Sequence, residues 1–538
     1  MIQKQTQLPL RALTQAQWTP ELRTWEQELT AAPYRSYLYS YPHKTAYREL
    51  NPPLALERLW AQERLESYFL YMHIPFCAAR CGFCNLFTLP DKRLDVHTQY
   101  VDALERQAQQ WAPFMQGTPF SRFAIGGGTP TLLAPEQLKR LFDIAERVMG
   151  VQLDQTSISV ETSPDTVTAD RLDILRSVGV DRISMGIQSF IEAESKAIYR
   201  PQNPDLARRA LELLKRYEFP LLNVDLIYGL PGQTVDSWLY SLQEALAYEP
   251  GEIFIYPLYV REHTILKPGQ TGLEHDIRME LYEAARTRLI QAGYTQYSMR
   301  RFAKPFSSHK SLLPYSCQEE GMVGLGCGAR SYTRDVHYAS RYGVSVAATR
   351  SIIANYVAAD RYDVADYGFV LNEQESRRRF VLKALLHREG LEQAAYTTRF
   401  GSLLFEDLPE LKQLVWTGLA TLEQPEQPEQ PETEGGTILT EAAVHERVTD
   451  DDADVTDANA RLNDSAVYAE QRLAVDASYA VAFDHNDAAT AAASGLADQL
   501  LHQGVLRLSA RGMALSDSIG DWLISPEVYA LMERYEGV

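Results

Sequence analysis

Between residues 67 and 260, six short β-rich runs alternate with helical stretches, and few folds accept that order. The runs are FLYMHI (69–74), RFAIGG (122–127), SISVET (157–162), RISMGIQ (182–188), LLNVDLIYG (221–229) and EIFIYPLYV (252–260). The helical stretches lie near 95–112, 135–149, 168–178, 205–217 and 235–248. Such repeats predict an α/β fold with a parallel sheet, right-handed crossovers and burial on both faces. Six units predict a sheet curled into a partial (β/α)6 barrel. Chemistry in barrels of this kind collects at the C-terminal ends of the strands.

The segment that leaves the first run at that end is YMHIPFCAARCGFCNLFT (71–88), with Cys77, Cys81 and Cys84 spaced C-x3-C-x2-C. Three thiolates so close together suit a soft metal. A zinc ribbon needs a second pair of ligands at a distance, and no second C-x2-C exists here. Three cysteines on one loop fit a [4Fe–4S] cluster with three irons held by protein and the fourth iron open.

Each later strand end also carries a candidate. GGGTPT (126–131) follows the second strand, and its glycines let the backbone approach a ligand closely. Glu161 ends the third and could accept bonds from two ribose hydroxyls; a helix cap is its plainer use. Gln188 ends the fourth, and Arg200, twelve residues later, could grip a carboxylate with two parallel bonds. Asp225 lies within the fifth, where a lone carboxylate needs a partner or a task.

HIPFC, GGGTPT, RISMGIQSF and DLIYGLPGQT, in this order, resemble the radical S-adenosylmethionine (SAM) proteins. The resemblance is to the branch containing oxygen-independent coproporphyrinogen III dehydrogenase and its haem-chaperone relatives, over about residues 67–335. It implies that Cys77, Cys81 and Cys84 bind a [4Fe–4S] cluster. It also implies that Tyr71, Phe83, Gly127, Gly128, Thr129, Glu161, Gln188, Arg200 and Asp225 contact SAM, with Arg200 on its carboxylate and Glu161 on its ribose. The implied activity is reductive cleavage of SAM to a 5′-deoxyadenosyl radical that acts on an organic, small-molecule or tetrapyrrole-like substrate. A flavodoxin- or ferredoxin-like protein would supply the electron. Two alternatives stand beside it: a tetrapyrrole- or haem-binding chaperone, and a radical SAM methyltransferase. Two departures separate this chain from the branch. Leu86 stands where the coproporphyrinogen enzyme has a further Cys, and the 311–328 region lacks the H-N-x-x-Y-W motif of the haem chaperones, although His309 lies close by.

The rest of the chain divides into an N-terminal arm (1–66), the barrel (67–300), a connection that closes its open side (301–375) and a C-terminal helical, winged domain (376–538). The arm holds a tyrosine-rich stretch, YRSYLYSYPHKTAY (34–47), read as an aromatic packing surface or a substrate-facing lid. Cys317 and Cys327 lie in the connection; small idle thiols or redox partners are both open. In the last domain, an insertion at about 423–495 begins with the stiff repeat EQPEQPEQPE. Residues 423–464 carry 13 Asp or Glu against 2 Arg, a net −11 within the chain's −19, and such a composition predicts disorder. A hairpin is expected at LRLSARGMALSD (506–517). The acidic balance argues against a nucleic-acid partner. The absence of an apolar run near eighteen residues argues against a membrane span, the N-terminus lacks a secretory core, and unpaired cysteines point to a reducing cytoplasm.

Overall fold

The computed structural model describes residues 19–424 and 503–535, apart from 36, 39, 64–65, 116, 118, 201, 262–263, 268–275 and 306–320. Six parallel strands lie side by side in chain order: β1 (Tyr68–Ile74), β2 (Phe120–Gly127), β3 (Ser157–Thr162), β4 (Arg182–Gln188), β5 (Leu221–Tyr228) and β6 (Glu252–Pro257). The helices between them are α1 (Leu94–Trp111), α2 (Pro135–Asp143), α3 (Ala169–Ser177), α4 (Pro204–Tyr217) and α5 (Val235–Leu246). The partial (β/α)6 barrel is therefore the fold, and its sheet does not close.

Local chemistry explains the elements. In α4, Asn203 accepts the Asp205 N–H, Pro204 opens the helix and Glu218, in the left-handed region, ends it. Its buried residues Ala207, Ala210, Leu211 and Leu214 recur every three or four positions and face the sheet. The strands bury Leu70, Met72, Phe123, Ile125, Ile158, Val160, Ile183, Val224 and Ile253 in the same core. Burying each large aliphatic side chain fully is worth roughly 1.5–3 kcal/mol.

The sheet is covered on both faces, but only one of them is apolar. The alternate strand positions carry Tyr71, Ser159, Glu161, Arg182, Ser184, Asn223, Asp225 and Glu252. Period-two alternation, visible in NVDLIY and SISVET, leaves one concave face polar. That face is the site.

Residues after β6, with one strand of the arm, widen the sheet at both edges. Thr295–Gln296 and Arg301–Ala303 extend it beyond β6. Met322–Leu325 pairs in parallel with β1, and Arg330–Tyr332, Val336–Ala339, Val364–Val370 and Arg48–Ala55 continue outward as antiparallel strands. A second core gathers Leu382, Tyr396, Leu411, Leu506 and Ile519 with Leu29, Tyr41 and Ala46 of the arm.

The C-terminal hairpin differs from the one expected. Its strands are Ala420–Glu423 and Val505–Leu508, paired antiparallel with Glu423 opposite Val505. The insertion therefore departs from a hairpin whose two ends are adjacent. Ser509 accepts the Gly512 N–H and starts the helix Ala510–Ala514 where a returning strand was expected. The expectation of disorder over about 423–495 falls outside the described residues from 425 on, as does Cys317; Glu423, at its start, ends a strand instead.

Candidate active site

The short strand Phe76–Cys77 leaves β1 at its C-terminal end and pairs with Leu89–Pro90, which fixes the two ends of the cysteine loop. Cys77, Cys81 and Cys84 are all half-buried free thiols. Cys84 N–H donates to the Cys81 carbonyl at 3.1 Å. A polar neighbour stands beside each sulfur: Thr129 Oγ1 3.8 Å from Cys77, Arg200 Nη1 3.4 Å from Cys81 and Thr88 Oγ1 3.6 Å from Cys84. Burial, with the other two cysteines as like charges, pushes the Cys77 thiol up to about 12; burial also raises that of Cys84. Metal binding must displace these protons. Among the described residues, no three His, Cys, Asp or Glu converge as they would round a single ion. Three thiols on one short loop are a donor set that would fit a cluster.

The glycine loop packs directly on this strand. Gly128 N–H donates to the Ile74 carbonyl at 2.7 Å, and Thr129 N–H to the Phe76 carbonyl at 2.8 Å. A Cβ on Gly128 would stand 2.5 Å from the Phe76 oxygen. Gly127 has φ +116°, and a Cβ there would meet the His73 ring at 2.6 Å. The glycines thus serve close approach to the protein's own cysteine strand.

His73 was not singled out from the sequence, although it stands in HIPFC. Its Nε2–H donates to the Phe87 carbonyl at 2.9 Å, so Nδ1 accepts from the Tyr71 hydroxyl at 3.3 Å. Burial lowers its pKa to about 4 and keeps it neutral.

Glu161 Oε2 accepts the Gly127 N–H at 3.0 Å. Its side chain is solvent-accessible yet ringed by protein, as in a concavity; this enclosure, with Asp225 adding repulsion, raises its pKa. Asp225 accepts from Asn223 Nδ2 at 2.8 Å and from the Ser184 hydroxyl at 3.3 Å; burial raises its pKa as well. Gln188 sits at a register shift between β4 and β5 with φ +73°, a conformation costing about 1–3 kcal/mol in a non-glycine residue. Arg200 donates to the Gly186 carbonyl at 2.6 Å and to Gln202 Oε1 at 2.9 Å. Phe83 packs against an apolar cluster of Ile198, Ile227, Leu230, Leu258 and Leu266.

Deeper in the concavity, Glu252 bridges Arg182 at 2.7 Å and Arg301 at 2.5 Å. Burial alone would raise its pKa, but the two guanidiniums more than offset that and hold it low. At the mouth, Tyr37 of the arm stacks on Tyr259, and Lys44 Nζ lies 3.3 Å from the Asn85 carbonyl and over the Tyr342 ring. Asp517 of the C-terminal domain pairs with Arg300 at 2.5 Å and bonds the Tyr259 hydroxyl. A cavity of about 280 Å³ beyond the ends of β5 and β6 is lined by Tyr34, Arg35, Leu258, Tyr259, Arg261 and Arg278. Cys327 is buried apart from the cysteine loop, 3.8 Å from the Tyr100 hydroxyl.

The family profile of the Radical SAM superfamily matches residues 71–245. The heme chaperone HemW of Escherichia coli is 31% identical over 274 residues, which cover 49% of this chain and 70% of the relative. The chain belongs to the radical SAM superfamily. Within it, the chain falls in the branch of that chaperone and of the oxygen-independent coproporphyrinogen III oxidase of E. coli, which is 27% identical over 424 residues covering 72% of this chain and 89% of the relative. The solved structure of coproporphyrinogen III oxidase from E. coli covers 71% of this chain and 91% of its own with a TM-score of 0.58 at 24% identity, and so shares the fold. The cofactors of this radical SAM protein are a [4Fe–4S] cluster and SAM. Among the described residues, no helix is long and apolar enough to cross a membrane.

Proposed function

We propose that this radical SAM protein is an enzyme that cleaves SAM reductively and uses the resulting radical on an organic substrate related to the tetrapyrroles. The observation that carries the reading is the meeting at the strand ends: Arg200, held by the β4 backbone at Gly186, reaches Cys81 Sγ at 3.4 Å while the glycine loop locks onto the strand of Cys77. Bound together, the cluster and SAM supply one-electron cleavage of the sulfonium and a 5′-deoxyadenosyl radical.

The chain's own residues bind, orient and exclude water. Cys77, Cys81 and Cys84 hold the cluster. Arg200 takes the SAM carboxylate, Glu161 and Asp225 face its hydroxyls or amine, and Tyr71, Gln188, Gly127, Gly128 and Thr129 complete the wall, with Phe83 packing behind. The mouth is roofed by the arm and by Asp517. The cavity beside it presents Arg35 and Arg261, which suit a substrate bearing carboxylates; Arg278 there is already paired with Asp276 at 2.6 Å. The division into arm, barrel, connection and C-terminal domain, and a cytoplasmic setting with a flavodoxin- or ferredoxin-like donor, belong to the same proposal.

Anaerobic reconstitution tests it. About four irons and four sulfides per chain are expected, with 5′-deoxyadenosine formed once SAM and a reductant are added. Changing Cys77, Cys81 or Cys84 to Ala should abolish both, and wild-type iron content in any of these variants would refute the ligand set. The second reading, haem carriage, draws on the 31% identity to a chaperone. It predicts a stable haem absorption band after purification with added haem and no deoxyadenosine.

A further inference from the structure

Period-two alternation along β5 places Asn223 and Asp225 on one face of the strand, the polar face of the barrel. Asp225 is half-buried, and Asn223, one step deeper, is fully buried. Asn223 Nδ2 donates to Asp225 Oδ1 at 2.8 Å and to the Ser184 hydroxyl at 2.7 Å. Ser184 is the β4 residue opposite Asn223, and it donates onward to Asp225 Oδ2 at 3.3 Å. Both protons of one amide are thus committed, and both oxygens of one carboxylate are held.

Asn223 Oδ1, by contrast, is buried without a hydrogen-bond partner among the described residues. Buried polar atoms are seldom left so, because the lost hydration is not replaced. Turning the amide over would not help: its oxygen would then face the Asp225 carboxylate, acceptor against acceptor. A residue kept only for packing would be apolar here, like Val224 and Leu226 on the opposite face. What the amide supplies is a donor to Asp225, and its own oxygen goes unserved.

The charges that face Asp225 come from β3, β4 and β6. Glu161 on β3 and Glu252 on β6 repel it, and Arg182 on β4 attracts it. Arg182 is itself engaged by Glu252 at 2.7 Å, and Tyr256 of β6 faces the same spot. Burial is the largest influence on Asp225 and raises its pKa; the Asn223 bond opposes it most strongly, ahead of Arg182 and the Ser184 hydroxyl. A hydrogen bond donated to the ionised form favours that form, so one amide stands between Asp225 and protonation.

We propose that Asn223, seconded by Ser184, is a positioning residue for SAM binding: it aims Asp225 into the site and supports its negative charge there. Asn223 acts through Asp225 and not on the ligand directly. The proposal rests on the placement of Asp225 among the residues that meet SAM.

Anaerobic calorimetry with SAM as the probe, on the reconstituted full-length protein between about pH 8 and about pH 5.5, tests it. A protonated Asp225 binds SAM less well, so affinity falls as pH drops through the Asp225 pKa. Asn223→Leu, close in volume but without the donor, should move the midpoint of that fall upward by about one pH unit. At about pH 6 its affinity should be about tenfold below wild type, and at about pH 8 most of the difference should vanish. Ser184→Ala should move the midpoint the same way by less. Asn223→Ala carries the same expectation as Asn223→Leu and replaces it if the larger side chain prevents folding. Iron and sulfide content should match wild type in every variant. An unmoved midpoint, or an affinity loss equal at every pH, would overturn the positioning role and leave Asn223 to the core. Wild-type SAM affinity in Asp225→Asn across the whole range would instead overturn the placement of Asp225 on which the proposal rests.

Discussion

Arg200 carries the sharpest expectation for a single residue. Its guanidinium is already aimed by the Gly186 carbonyl and Gln202, so a SAM carboxylate would meet a preset fork. Losing such a partner at a largely desolvated site costs roughly 2–5 kcal/mol. Arg200→Ala should therefore weaken SAM binding by about 30-fold or more, and Arg200→Lys, which keeps charge without the fork, should fall between. Iron content should not change. Anaerobic SAM titration alongside thermal melting separates this role from bracing: unchanged affinity with a lowered melting temperature would assign Arg200 to structure. His73 sets a pH dependence. Its folded pKa, about 4, lies below the ordinary value of 6.5, so the unfolded chain binds more protons in that window and stability falls as pH drops through it. From pH 7 to 5.5 the His73 contribution amounts to about 1 kcal/mol. His73→Gln, which can still donate to Phe87, should flatten that part of the slope in denaturant titrations at the two pH values. An unchanged slope would place the titration elsewhere.

Among the elements, the C-terminal hairpin has the clearest consequence. Glu423 faces Val505, and Arg507 bonds Glu423, so the ends of the long insertion already meet. Loop-closure entropy grows only slowly with length. Replacing 425–502 by a short glycine-containing turn should therefore leave the melting temperature within a few degrees of wild type and leave iron binding intact. An insoluble product, or one that cannot take up iron, would mean that the insertion contributes to the core. The same hairpin explains a failed expectation: its partner strand is more than eighty residues upstream, so no local reading of 506–517 could find it, and Ser509 is a helix cap that resembles turn chemistry.

At the scale of the whole molecule, arm, sheet and C-terminal domain meet around Arg300, Tyr37, Tyr259 and Asp517. Both members of the Arg300–Asp517 pair are buried. Removing one partner strands the other, at about 3–5 kcal/mol, whereas replacing both with apolar residues can be close to neutral. Asp517→Ala should lower stability strongly, and Asp517→Leu combined with Arg300→Met should recover much of the loss. Additive losses in that cycle would show that the two side chains act independently.

The order of β and α runs determined the barrel because a strand followed by a helix and another strand has one favourable handedness. Spacing alone brought Cys77, Cys81 and Cys84 together, since contacts within eight residues need no tertiary information. The positions of Glu161 and Gln188 at strand ends, and of Asp225 within its strand, were equally legible, because strand direction fixes where ends lie. Tertiary structure decided the rest. Glu252 lies between Arg182 and Arg301, 70 and 49 residues apart in the chain, and Lys44 reaches Asn85 from a separate arm. The glycines of GGGTPT read as room for a ligand, but the nearest neighbours of Gly126, Gly127 and Gly128 are Glu161, His73 and Phe76. These are contacts between distant segments, set by how two faces pack, and a one-dimensional pattern carries no record of which distant side chain will occupy the space beside a residue.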